Sequence, residues 1–269
     1  MSEKRPLVLY SGGLDSTYLI YRLVEANMPF DVLYVEGGQC QNKVREEDKV
    51  REAFLYTYLR DTFPDYRHHI NKFQVKLDWF NSLRGYQTDK PSLSQPQTWI
   101  FAAHRAFDPG RHSEVQVGYL LGETEHNPHL KKVWDGLCQL LHCQTYPLTF
   151  PLQRHYKSMV LDDIPKELFN YVWVCELPMV DVTGVPSSTY RCGRCRPCQT
   201  LGYAFMELSE RRFGEDFRNK LAMWNSQLDP RRKPRFVLEE PSKNRLVPVP
   251  ELPLLQEKDP YVDLVHYRD

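Results

Sequence analysis

The chain has no excess of charge of either sign: 35 lysines and arginines stand against 35 aspartates and glutamates, for a formal net charge of zero. That balance argues against a uniformly basic nucleic-acid glove and leaves room only for a local basic patch. A long apolar run is missing too. No stretch reaches the ~20 residues of a membrane-spanning helix, so no membrane contact is expected. The opening Met1-Ser2-Glu3-Lys4-Arg5-Pro6 leads straight into a strand-like run and does not read as a secretory signal. The expectation is therefore a cytoplasmic protein. Its seven cysteines should be reduced thiols, metal ligands or catalytic groups, not a disulfide framework. There is no internal repeat, and the glycine-rich turn near the N-terminus lacks the Gly-Lys-Ser/Thr that would make it a Walker A loop.

What is present is an ordinary globular composition over 269 residues, 41% hydrophobic and 26% charged, which suits one large domain or a domain with an appended module. Pro6 to Tyr10 reads as a buried strand, followed by the turn Ser11-Gly12-Gly13-Leu14-Asp15-Ser16. A helix with Tyr18, Leu19, Leu23 and Val24 on one face begins at once. Further strands are expected at Phe30–Val35, Phe73–Leu77 and Val115–Tyr119, with helices at Val44–Arg60 and Trp99–Phe107 and a proline-bearing loop from Gly85 to Gln97. This alternation predicts an α/β fold: a doubly wound parallel sheet covered on both faces. After about Tyr146 helices dominate and cysteines cluster. Seven prolines from Pro230 to Pro260 rule out a long helix in the last stretch. The expected division is a nucleotide-binding domain over 1–150, a helical metal-binding module over 151–228 and an extended tail over 229–269. Val247, Val249, Leu252 and Leu254 could anchor that tail to the body or to a second chain in a homodimer.

A strand that ends in Ser-Gly-Gly-Leu-Asp-Ser and opens a helix is an anion cradle. Gly12 and Gly13 allow a tight turn and close backbone approach to a phosphate. Ser11 and Ser16 supply hydroxyls, and the free amides of the helix start point the same way. Asp15 would repel a phosphate unless it holds a magnesium ion that bridges phosphate oxygens. The bland alternative is a strand–turn–helix with a serine cap.

Cys192, Cys195 and Cys198 form a C-x2-C-x2-C run, and Cys175 lies upstream beyond a loop containing Pro178, Gly184 and Pro186. Four thiolates complete the closed tetrahedral site that zinc prefers in structural roles, and Arg191, Arg194 and Arg196 would offset their charge. Unrelated thiols and an iron–sulfur cluster are the alternatives. The ferredoxin run needs a further Cys-Pro, which Gln199-Thr200-Leu201 does not supply. The expected role of the zinc is folding.

The hexapeptide Ser11–Ser16 resembles the PP-loop of the N-type ATP pyrophosphatases, which have the adenine nucleotide alpha hydrolase-like fold. With the cysteine cluster behind it, the chain resembles the QueC (7-cyano-7-deazaguanine synthase) family from about Leu7 to Phe213. Weaker likenesses follow in order. Glu36-Gly37-Gly38-Gln39 stands where that family has a Tyr-Gly-Gln turn near the adenosine, which assigns Gly38 and Gln39 to the nucleotide. Glu123 and Glu125 fall in its acidic substrate loop. Pro151-Leu152 and Lys157 match its Pro-Leu-x4-Lys segment, whose lysine reaches toward the phosphates. The resemblance implies ATP, Mg2+ and Zn2+ as cofactors, with Asp15, Ser16 and Lys157 in the catalytic machinery. It implies adenylation of the carboxylate of 7-carboxy-7-deazaguanine, then attack by ammonia and, after a second adenylation, a nitrile. Two departures mark a divergent member: His126–Lys132 replaces the family's Tyr-Ser-Gly-Tyr-Pro-Asp-Cys-Arg loop, and Gln95-Pro96-Gln97-Thr98 replaces Pro-x-Arg-Asn. The alternatives are a QueC-like antiphage enzyme that joins the deazaguanine to an amine of a protein substrate, and a PP-loop tRNA thiolase. The absence of a basic stripe counts against a nucleic-acid partner.

The other polar residues have plainer expectations. Glu123, Glu125, His126 and His129 form either a ligand-binding edge or a solvated loop, and His68-His69 a surface pair. Cys40 is an inert thiol in the adenosine turn. Cys138 and Cys143 belong with Leu137, Leu140 and Leu141 to an apolar helical stretch, and Trp99 and Phe101 to the core.

Overall fold

The computed structural model describes residues 4–37, 50, 53–63, 68–75, 95–121, 127–142, 144–175, 179–180, 189–193, 195–211, 215–228, 236–239 and 245–248. Five parallel strands form the centre: β1 (Arg5–Tyr10), β2 (Phe30–Gly37), β3 (His68–Val75), β4 (His112–Val117) and β5 (Leu148–Thr149), in the order β3-β2-β1-β4-β5. The strands read as apolar runs, not alternating ones, because both faces are covered. Val8, Tyr10, Phe30 and Val32 face one core; Leu7, Leu9, Leu33, Val35, Val115 and Val117 face the other. Each such side chain stabilises by about 1.5–3 kcal/mol relative to exposure, an upper range because the unfolded chain is already partly compact.

The first core lies under α1 (Leu14–Glu25) and continues without a break into the C-terminal helices. α1 ends on Asn27 at φ 51°, where Asn27 N donates to Val24 O and Met28 N to Leu23 O, closing its last carbonyls. The second core lies under α3 (Gln95–Ala106) and α4 (Asn127–His142), which present Ile100, Ala103, Leu130, Trp134 and Cys138. In α4 the spacing of Leu130, Trp134 and Cys138 makes one inward stripe. Leu140 and Leu141 fall off that stripe and are 75% and 64% exposed, so they are not the core residues the composition suggested. Phe101 is likewise exposed on α3, whereas Trp99 packs partly into the core.

The remaining elements depart from expectation in physical detail. The charged helix around Val44–Arg60 is described only in its later part, as a π-wound stretch Ala53–Tyr58 that runs on into the short α2 (Leu59–Thr62). The third strand starts earlier than predicted, at His68, whose ring stacks on Phe30 and is half-buried. Gln95–Gln97 belong to α3 and not to a loop, since a proline in the first turn lacks an N–H that had no intrahelical partner anyway.

At the start of the sheet, fully buried Asp31 on β2 meets Arg5 of β1 at 3.1 Å, Arg111 at 2.5 Å and His112 of β4 at 3.0 Å. One carboxylate thus ties three strands together at the edge opposite the Ser-Gly-Gly turn. Beyond β5 come α5 (Lys157–Asp163), α6 (Lys166–Phe169), the two-residue strands β6 (Met179–Val180) and β7 (Thr189–Tyr190), α7 (Arg196–Arg211) and α8 (Glu215–Ser226). The tail contributes an antiparallel pair, β8 (Phe236–Glu239) with β9 (Arg245–Pro248), and β9 lies beside α7. Among the described residues no helix is long and apolar enough to cross a membrane.

Candidate functional site

In an order β3-β2-β1-β4-β5 the chain leaves β1 in opposite directions, and a crevice opens outside the carboxyl ends of β1 and β4. Ser11 to Ser16 fill it. Gly12 stands at φ 77°, a left-handed backbone that a side chain would strain. Ser11 Oγ and Ser16 Oγ lie 3.0 Å apart, Ser11 N donates to Ser16 Oγ at 3.2 Å, and Gly13 N donates to Ser11 Oγ at 3.3 Å. Thr17 Oγ1 donates to Gly13 O at 2.8 Å and pins the turn to α1. Gly13 is the N-cap of α1 and makes no side-chain cap, so the first amides of a twelve-residue helix face the crevice without one.

Lys157, the first residue of α5, donates from Nζ to Asp15 Oδ2 at 2.8 Å, with both side chains largely buried. The two are 142 positions apart in sequence and are brought together by α1 packing on α5. Tyr18 locks that packing: its hydroxyl donates to Asp163 Oδ2 at 2.5 Å, and Arg22 Nη1 donates to the same oxygen at 3.1 Å. Burial, then the Asp163 bond, pushes the Tyr18 hydroxyl up to about 12, so it stays a donor. The other oxygen of Asp15, Oδ1, is buried and has no hydrogen-bond partner. An orphaned carboxylate oxygen beside a phosphate-type cradle suits a hard divalent cation such as magnesium.

Two further polar or glycine positions were not singled out from the sequence, the first of them against the crevice. Gly118 follows β4, and a Cβ there would sit 3.1 Å from Asp15 O and 3.2 Å from Ser16 Cα. Those are backbone atoms, so the helix start could approach β4 this closely only over a glycine. Asn127 opens α4 downstream of β4, is 8% exposed, and has both Oδ1 and Nδ2 buried without partners. No periodicity marks a lone glycine or asparagine; only the three-dimensional crossing does. Gly38, Gln39, Glu123 and Glu125 lie outside the described residues, as do Cys40, Cys143, His126 and the 44–49 segment.

The second site is the cysteine centre. Cys175, Cys192, Cys195 and Cys198 are all buried, with their four sulfurs within 4.8 Å of one another. Cys192 N donates to Cys175 Sγ at 3.1 Å and Cys195 N to Cys192 Sγ at 3.3 Å. Gly193 takes φ 67° to turn the chain between the two ligands. Contact with Cys192 first, then with Cys195, holds the Cys175 thiol far above its usual range; for Cys198 the leading cause is contact with Cys175. Four sulfurs gathered in a buried pocket cannot ionise together unless a cation sits between them, and four thiolates with no open position are what zinc accepts. His129 lies exposed on α4 and is part of no such cluster among the described residues.

No protein-family model matches the sequence, and no curated protein matches it. Among solved structures, the fold is similar to "Structure of NMN synthetase from Francisella tularensis", with 12% identity and a TM-score of 0.35 over 93% of this chain and 90% of that one. Likeness at that level leaves the function to be argued from the site.

Proposed function

We propose that the chain is an ATP-dependent, AMP-forming carbon–nitrogen ligase of the QueC-like kind, acting on the carboxylate of 7-carboxy-7-deazaguanine. The observation that carries this reading is the Asp15–Lys157 pair at 2.8 Å at the mouth of the Ser-Gly-Gly turn, with Asp15 Oδ1 left unpartnered. Ser11, Gly12, Gly13 and Ser16 bind the phosphates through hydroxyls and helix-start amides, and Gly38 and Gln39 bind the adenosine. Asp15 is the residue to hold magnesium, which when bound supplies charge neutralisation on the phosphate oxygens. Lys157 Nζ donates to the departing pyrophosphate as charge gathers there.

A carboxylate is a poor electrophile. Its oxygen attacks the α-phosphorus, the bond from that phosphorus to the bridging oxygen breaks, and pyrophosphate leaves. The acyl adenylate then takes ammonia at the carbonyl carbon, losing a proton and AMP. A second adenylation of the amide oxygen, followed by loss of AMP, gives the nitrile. No side-chain nucleophile is needed, and none is assigned. Substrate binding is assigned to Glu123 and Glu125, and the unpartnered amide of Asn127 offers a donor and an acceptor side by side, as a lactam edge requires. The divergent His126–Lys132 segment supports a second reading, in which a protein amine replaces ammonia.

The test is to incubate the protein with α-labelled ATP, magnesium, ammonium and 7-carboxy-7-deazaguanine. AMP, pyrophosphate and a deazaguanine amide or nitrile are the expected products. ADP and phosphate would overturn the assignment, and AMP formed only when a protein acceptor is present would select the second reading.

A further inference from the structure

We infer that the four-cysteine centre also positions the nucleotide loop, with Trp173 and Arg191 as the positioning residues between them. This rests on the proposal that ATP binds at Ser11–Ser16. Gly12 O accepts a hydrogen bond from Trp173 N at 2.8 Å. The Gly12–Gly13 peptide is planar and trans, so fixing its carbonyl toward Trp173 fixes its N–H in the opposite direction. That N–H belongs to Gly13 and donates to Ser11 Oγ, which in turn meets Ser16 Oγ. One backbone contact from outside the loop thus sets the orientation of both cradle hydroxyls.

Trp173 is held by the metal site. Its indole N–H donates to Cys175 O at 2.9 Å, two residues along the chain. On the other side Arg191, next to Cys192, donates from Nη2 to Val172 O at 2.5 Å. Its guanidinium lies 5.3 Å from the Trp173 ring and 5.0 Å from the Trp224 ring, and its backbone N donates to Gln227 O at 2.7 Å. Arg191 is completely buried, and its Nε and Nη1 have no hydrogen-bond partner. Two aromatic faces, and the net negative charge of a zinc–tetrathiolate unit on the neighbouring residue, are what offset a buried cation there. The segments Val172–Cys175 and Arg191–Cys192 are therefore two sides of one clamp, which a metal bonded to both Cys175 and Cys192 closes. Opening the clamp frees Trp173 and, with it, the Gly12 carbonyl.

The experiment uses the full chain and the non-cleavable analogue α,β-methylene-ATP with magnesium. Zinc is removed with a chelator, its loss is measured by elemental analysis, and the fold is checked by circular dichroism. Site-resolved hydrogen exchange of the Trp173 amide is followed together with the analogue's Kd. Faster exchange at Trp173 and roughly tenfold weaker binding are expected after stripping, both reversed by added zinc. Should stripping unfold the chain, Trp173→Phe decides. It removes the indole bond to Cys175 while keeping a ring, and should retain one zinc and its thermal midpoint while raising the KM for ATP several-fold at unchanged kcat. A stripped, folded protein, or a zinc-loaded Trp173→Phe variant, that binds the analogue as the parent does would overturn the coupling. If the parent binds no adenine nucleotide, the ATP reading fails; Trp173 amide exchange then still reports whether zinc governs the Gly12 contact.

Discussion

The Ser-Gly-Gly turn and the cysteine centre are both short, glycine-bearing turns that gather charge, and they treat their polar atoms in opposite ways. At the cysteine centre all four cysteines are buried, and the sulfurs of Cys175 and Cys192 accept backbone N–H groups. At the turn, Ser11, Gly13 and Asp15 are only partly buried, the helix start is uncapped, and one oxygen of Asp15 is unpartnered. A closed set of ligands suits a structural ion and an open set suits turnover. The four-cysteine centre thus has the closed form of a structural ion site, and the Ser-Gly-Gly turn the form of a site for exchangeable charge.

The sharpest way to break this contrast is to remove the open carboxylate. Asp15→Asn should lower pyrophosphate release by at least about a thousandfold, in line with the loss of a charge-stabilising group at a reacting phosphate, while circular dichroism and the thermal midpoint stay near the parent. Pyrophosphate release at the parent rate would show that Asp15 is only a helix-start acid. Gly118→Val comes next. Its side chain must push against the backbone of Asp15 and Ser16, so nucleotide affinity should fall about a hundredfold, and analogue titration measures it.

On the closed side the expected effect is on stability. Cys195→Ser removes one of four sulfurs, and zinc content should fall with it. A loss of about 3 kcal/mol corresponds to a drop of roughly 10 °C in a chain of this size, read by differential scanning fluorimetry beside elemental analysis. Iron with acid-labile sulfide in the purified protein would replace zinc by a cluster.

Much of this contrast was legible in the sequence, and the illegible part has a common cause. The alternation of apolar runs with helical patterns gave the parallel sheet, because strands buried on both faces leave no other signature. The loop and the C-x2-C-x2-C run are local, and local spacing survives in one dimension. The fourth ligand, Cys175, needed the assumption that a loop brings it back, and the structure does bring it back. Gly118 and the Trp173–Gly12 contact depend on segments that meet only after crossover, and nothing in their own neighbourhoods distinguishes them. Leu140 and Leu141 show the reverse error: apolar identity suggested burial, while helical phase turned both outward.

The smallest effect expected lies at the sheet edge far from both sites, and it tests whether the fold itself responds to acid. His112 accepts the Asp108 N–H at Nδ1, at 2.9 Å, which leaves Nε2 to carry the proton and donate to Asp31 at 3.0 Å. That arrangement holds the neutral ring. Burial pushes the His112 pKa below its ordinary value, and the attraction of Asp31 opposes this without reversing it. His104 in the second core is pushed down in the same way, burial first and then the neighbouring His142. For a group whose folded pKa is lowered, the unfolded chain binds the proton first as pH falls. Stability is therefore fully present above the unfolded value of about 6.5 and declines as pH drops from there through the folded pKa. His104→Phe should flatten the decline in urea midpoint between pH 7 and pH 5, at a cost of no more than about 1 kcal/mol at pH 7.5, because a ring of similar size still packs against Trp134. His112→Asn should flatten it less, because the loss of the bond to Asp31 lowers stability at every pH. An unchanged pH slope in both variants would assign the acid sensitivity to the carboxylates instead.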